Sequence, residues 1–167
     1  MALMKACRFL LPEMDREDYM RQALAQAREA AAEGEVPVGC VIADAAGNII
    51  ARGRNRCKER NDATAHAEQE AIREAARKLN CWNLDGCTLY VTMEPCPMCT
   101  GAIMNARIKR VVFGTRDEVK GACGSVIDLF SENFPDKAAV FPNVLEKECR
   151  DELTNFFREI REKNADR

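Results

Sequence analysis

The chain has 167 residues, of which 47% are apolar and 31% charged, and its 25 basic and 27 acidic side chains leave a formal charge of −2. That composition excludes a disordered chain and a protein that grips nucleic acid through overall charge, so any such surface has to be a local patch. No apolar run approaches the ~18 residues of a membrane span, and the nine cysteines, scattered and without a secretory signal, read as reduced thiols of a cytoplasmic protein, most of them packed as small hydrophobes.

Residues 1–14 show no period and are expected to form a poorly ordered tail. Asp15 is expected to cap a first helix whose apolar positions Tyr19, Met20, Ala23, Leu24, Ala27 and Ala31 follow helical spacing, and Gly34 ends it. Val36 to Ala43 reads as a buried strand, residues 44–48 as a turn, and Ile49 to Asn55 as the returning strand of a hairpin. A helix over 65–79 follows, with Ala71, Ile72, Ala75, Ala76 and Leu79 inward. Thr88 to Met93 is a β-rich run that leads into Pro95-Cys96-Pro97-Met98-Cys99, and a short helix over 99–105 has Pro97 near its first turn.

Val111 to Phe113 reads as a strand ended by Gly114, and residues 121–125 as a glycine-rich loop. Residues 131–143, with two prolines, match no element. Leu145, Cys149, Leu153, Phe156, Phe157 and Ile160 lay one apolar stripe along a C-terminal helix, after which residues 164–167 form a tail. Strands alternating with helices behind a hairpin predict an α/β sandwich around a mixed sheet, as a single domain over 15–163.

His66 is the one histidine, and it stands two residues before Glu68; Cys96 and Cys99 follow as a proline-flanked Cys-x-x-Cys. One imidazole and two thiols are the ligand count of a catalytic zinc whose fourth position is open to water, whereas a structural zinc normally takes four protein ligands. On a helix's first turn the i, i+3 spacing of Cys96 and Cys99 puts both on one face, and the positive end of the helix favours the thiolate that a metal requires. His66 and Glu68 diverge on a helix wheel, so both reach one ion only where the helix begins and meets it end-on; Asn61, Asp62 and Thr64 supply helix-start chemistry there. Three other readings stand beside this one: a satisfied histidine without metal, a thioredoxin-like redox pair at Cys96 and Cys99, and a structural zinc with Cys57, Cys81 or Cys87 as fourth ligand.

His66-Ala67-Glu68 followed by Pro95-Cys96-Pro97-Met98-Cys99 is the signature of the zinc-dependent cytidine/adenosine deaminase superfamily. Glu35-Val36-Pro37-Val38-Gly39, Gly53-Arg54-Asn55, Arg110 to Asp117, Gly121 to Ser125 and Phe156-Phe157-Arg158 further resemble TadA-type tRNA wobble-adenosine deaminases, over roughly residues 15–163. The resemblance implies a cytidine-deaminase-like three-layer α/β/α sandwich around a mixed five-stranded sheet. It implies one Zn2+ per subunit on His66, Cys96 and Cys99, and a zinc-activated water that attacks adenine and leaves inosine. Glu68 is then the general acid/base, not a ligand. The family pattern also implies that Asn55 and the backbone of Ala67 hold the base, that Val36 and Val38 pack near its ring, and that Arg116 and Asp117 lie along the strand. A homodimer that takes a tRNA anticodon stem-loop is implied in the same way.

Three basic groups could meet RNA: Arg52, Arg54, Arg56, Lys58 and Arg60, which would line one face of an extended segment; Arg107, Lys109 and Arg110; and Arg158, Arg161 and Lys163. Where such enzymes usually carry an Asn-His pair, this chain has Asn133-Phe134-Pro135-Asp136-Lys137. A zinc-dependent deaminase of a free base or nucleoside (guanine, cytosine, adenosine or cytidine) and a zinc-stabilised RNA-binding module without catalysis are therefore the alternatives.

Overall fold

The computed structural model describes residues 13–165. In chain order it contains α1 (Glu13–Ala32), β1 (Gly39–Ala43), β2 (Ile49–Arg54), α2 (Cys57–Arg60), α3 (Ala67–Leu79), β3 (Thr88–Met93), α4 (Pro97–Asn105), β4 (Arg110–Thr115), β5 (Ala139–Phe141) and α5 (Glu146–Ala165). The five strands form one mixed sheet in the order β2-β1-β3-β4-β5. β1 runs antiparallel to β2 and to β3, while β3, β4 and β5 are parallel.

Period-two alternation sends the side chains of the central strands to opposite faces. Ile42, Leu89, Val91, Val111 and Phe113 pack in one cluster with Ala67, Ala71 and Ala75 of α3 and with Ile103 and Met104 of α4. Val41, Tyr90 and Val112 pack in another with Met20, Ala23 and Leu24 of α1 and Cys149 of α5. Burial on both faces is why these strands read as unbroken apolar runs. The expected three-layer α/β/α sandwich around a mixed five-stranded sheet is what forms.

The topology also decides where the helices begin. β2 and β3 are both antiparallel to β1, so they run the same way, and α3 connects β2 to β3 as α4 connects β3 to β4. Both helices thus leave from the C-terminal ends of parallel strands and start at one edge of the sheet, where crevices in open α/β sheets lie. Gly53 of β2 lets the first turn of α3 come down onto the sheet: a Cβ there would collide with Ala67 O and stand 2.6 Å from Ala71 N.

Several expectations are corrected. α1 begins at Glu13, so Asp15 lies inside it and not before its start; the rest of the expected tails, residues 1–12 and 166–167, lies outside the described residues. β1 begins at Gly39, not Val36, because Pro37 has no N–H to give a ladder and the Val38 amide turns back to Val36 O at 2.8 Å. β4 runs through Gly114, where a Cβ would collide with Cys149 Sγ and stand 2.6 Å from Thr92 O. β5 arises within the unassigned stretch 131–143. Leu79, expected inward, is the last residue of α3 and is 45% exposed. Leu145 precedes α5 with φ 50, and Phe157 falls on its outer side. No helix among the described residues is long and apolar enough to cross a membrane.

Candidate metal centre and active-site pocket

His66 is the N-cap residue of α3, with extended φ −74 and ψ 156, and Cys96 is the N-cap residue of α4, with φ −74 and ψ 172 and Pro97 in the first helical position. Each therefore sits at the point where the chain enters a helix, with the helix amides beyond it. Upstream of His66, Asp62 Oδ1 accepts the Thr64 amide at 2.8 Å and the Thr64 hydroxyl at 2.7 Å, which fixes the approach to α3. α3 begins at Ala67, directly after His66, as an end-on approach of His66 and Glu68 to one ion requires.

His66 Nδ1 lies 3.7 Å from Cys96 Sγ and 3.6 Å from Cys99 Sγ. The three donor atoms fall within 4.8 Å of one another, and among the described residues no other group of His, Cys, Asp or Glu is gathered in this way. A tetrahedral zinc with Zn–S near 2.3 Å and Zn–N near 2.0–2.1 Å would hold sulfur and nitrogen about 3.6 Å apart, so the donor set fits that ion. Cys57, Cys81 and Cys87, weighed as fourth ligands, stand outside the group. Gln69, in the first turn of α3, donates its amide Nε2 to Cys99 Sγ across 4.0 Å, a contact that would orient this thiol as a ligand.

With no metal between them, the neighbouring Cys99 and His66 hold the Cys96 thiol down at about 4, while Cys96 and burial push Cys99 up. The hydrogen bond to Cys96 raises His66. Glu68 is 3% exposed, and burial pushes its carboxyl up to about 6. A carboxyl in that range exchanges protons readily near neutral pH.

A pocket of about 280 Å³ opens beside these groups. Among the residues expected to touch substrate, Val36, Val38, Asn55, Ala67 and Asp117 line it. Arg116 does not; it is exposed and its Nη1 lies 3.4 Å from Ser125 Oγ. The pocket also has walls not expected to touch the base, Glu35, Cys57, Met93, Glu94 and Lys120, together with Lys58 of the first basic group. Glu94, 3% exposed, accepts the amides of Cys123 and Ser125 at 3.0 Å on Oε1, and on Oε2 the Asp117 amide at 3.1 Å together with the Ser125 hydroxyl. Its place in Met93-Glu94-Pro95-Cys96 was the only signal it gave.

The basic strip is corrected. Arg52 and Arg54 lie on β2, but the chain then turns into α2, so the five cations do not continue along one extended face. Arg54, Arg56 and Arg60 face acids, with Glu59 3.3 and 2.8 Å from the first two and Glu70 2.9 Å from the third, and Lys58 Nζ donates to Gly34 O at 2.8 Å. In the second cluster Asp136 lies 3.0 Å from Lys109 and 3.9 Å from Arg107, and Arg110 Nε donates to Thr88 Oγ1 at 2.9 Å.

The pattern described as the cytidine and deoxycytidylate deaminase zinc-binding region matches residues 13–115. The chain is 45% identical over 148 residues to the tRNA-specific adenosine deaminase of Bacillus subtilis, covering 88% of this chain and 91% of that one. A solved structure from work on A-to-I editing by tRNA:A34 deaminases at the wobble position of transfer RNA superposes with a TM-score of 0.77 and 42% identity, over 81% of this chain and 99% of the other. The guanine deaminase of Bacillus subtilis superposes with a TM-score of 0.58 and 41% identity, over 74% and 78%.

Proposed function

The chain belongs to the cytidine and deoxycytidylate deaminase zinc-binding family, and from that membership and the geometry of its pocket we propose that it deaminates adenosine to inosine at the wobble position of a tRNA anticodon. The observation that carries this reading is the convergence of His66, Cys96 and Cys99 within 4.8 Å at the wall of a pocket that also holds buried Glu68. The near full-length similarity to a tRNA-specific adenosine deaminase directs it to tRNA.

In this reading His66 Nδ1 and the two thiolates hold zinc, which when bound makes a water nucleophilic near neutral pH. Glu68, in its desolvated position, shuttles two protons in turn: it takes one from the water and passes it to the ring nitrogen, then takes the second from the new hydroxyl group on the ring and passes it to the leaving amine. Val36 and Val38 form an apolar wall for the ring, Asn55 and the backbone of Ala67 hydrogen-bond the base, and Asp117 and Arg116 meet the strand at the rim. A homodimer in the cytoplasm, acting on the anticodon stem-loop, completes the proposal. The uncharged helix α4, with open space over Gly101, supports a surface that a second copy could cover.

A second reading is deamination of a free base. The likeness to a guanine deaminase favours it. Incubation of the purified protein with an anticodon stem-loop that carries wobble adenosine, followed by mass spectrometry, separates the two: inosine supports the first reading. Absence of inosine together with turnover of a free base supports the second.

A further inference from the structure

Glu35 lies in the turn between α1 and β1, is 1% exposed, and has a carboxylate divided between two tasks. Oε1 accepts the Glu59 amide at 2.7 Å, in the first turn of α2, a helix whose own N-cap residue Arg56 provides no side-chain cap. Oε2 accepts Nδ2 of Asn55 at 3.4 Å. On the other side of that amide, Cys57 Sγ donates to Asn55 Oδ1 at 3.2 Å. Asn55 is itself 7% exposed, and all three residues line the pocket beside Glu68.

We propose that Glu35 is a positioning residue for the substrate base: its carboxylate locks the side-chain amide of Asn55 in one of its two orientations. The inference rests on the reading that Asn55 touches the base. A carboxylate only accepts hydrogen bonds, so an amide turned the other way would set oxygen against oxygen in a buried place, where an unpaired polar group is costly. In the observed orientation one N–H goes to Glu35 and one lone pair of Oδ1 to Cys57. One N–H and one lone pair remain for the pocket, a fixed donor beside a fixed acceptor. An amide reads adenine through such a pair, donating to a ring nitrogen and accepting from an amino group. Turned over, it presents the two in the wrong order.

Glu35→Gln isolates this role. The new side chain keeps an oxygen for the Glu59 amide, so α2 keeps its cap, but it presents an NH2 group to Asn55 and turns that amide over. In the stem-loop assay we expect kcat/KM to fall at least tenfold, through KM where the ring-nitrogen contact is lost and through kcat where the departing amino group loses its acceptor. In an Asn55→Ala background the same change is expected to alter kcat/KM less than twofold, since the group it acts through is gone. Losses that simply add would overturn the proposal, as would full activity in Glu35→Gln.

The exchange pair Glu35→Gln with Asn55→Asp gives a second test that does not depend on the stability of the single variant. It keeps a hydrogen bond between the two positions yet shows the base acceptors only. Thermal stability is expected to stay near that of the parent while activity stays low; parent-like activity would overturn the proposal. The unaltered chain is assayed alongside. Its failure to make inosine would defeat the tRNA-adenosine reading on which this inference rests, whereas turnover by the unaltered chain with no loss in Glu35→Gln would defeat this inference alone.

Discussion

The amide of Asp117 donates to Glu94 Oε2 at 3.1 Å, which ties a loop residue of the pocket to the residue two before Cys96. Through the amides of Cys123 and Ser125 the same carboxylate gathers the rest of that loop, and a Cβ on Gly121 would stand 2.5 Å from Glu94 Cδ. Glu94→Ala leaves these buried donors without an acceptor. We expect a loss on the order of 3 kcal/mol in a urea unfolding experiment, charge-assisted bonds being the stronger kind. The loop should become the first part of the molecule to exchange its amide hydrogens.

Glu68→Gln keeps the size of the side chain and removes its proton chemistry. The variant should fold and hold zinc like the parent, while kcat for inosine formation falls by a factor of roughly 10²–10⁴. Stopped assays on the stem-loop, with metal content measured on the same samples, check both halves.

Gly53→Ala tests how the fold aims His66. The added Cβ would collide with Ala67 O and Ala71 N, which are backbone atoms that cannot swing aside. The first turn of α3 must lift from β2, and His66 lifts with it. The expected cost is about 1–3 kcal/mol by thermal unfolding, accompanied by weaker zinc retention against a chelator. A surface alanine substitution for comparison should change neither.

Asp44 supplies a dependence on pH away from the metal. Its Oδ1 accepts the amides of Ala46 and Asn48, each at 2.9 Å, and the Asn48 amide is the main reason its carboxyl is held below the usual 3.8. A group with a depressed folded value stabilises fully above its ordinary value and loses that contribution as pH falls through the folded one. The urea midpoints of the parent and Asp44→Ala should therefore differ at pH 7 and draw together as the pH drops below 3.8.

The ligand triad was legible in the sequence because metal chemistry writes itself locally: an N-cap histidine before a helix and two cysteines one turn apart need little tertiary information. The central strands were legible for a similar reason, since burial on both faces leaves unbroken apolar runs. Glu35 and Glu94 were not. Most of their partners are backbone amides, at Glu59, Asp117, Cys123 and Ser125, and a contact to a main-chain N–H leaves no mark on the partner's residue type. The basic run from Arg52 to Arg60 misled, because alternation of charge looks like an extended face whatever the backbone does. A helix at Cys57–Arg60 that ends in a left-handed Asn61 breaks that face. β5 has only three residues and takes its place from its parallel neighbour β4, with no pattern of its own.

Zinc K-edge absorption on protein reconstituted with one equivalent of zinc bears most directly on the central claim, that one imidazole and two thiolates hold the metal and leave a place for solvent. The account predicts two sulfur neighbours near 2.3 Å and two lighter atoms near 2.0–2.1 Å, with the sulfur shell halved in Cys96→Ala. A shell of three or four sulfurs, or zinc that washes away from the parent protein, would contradict it.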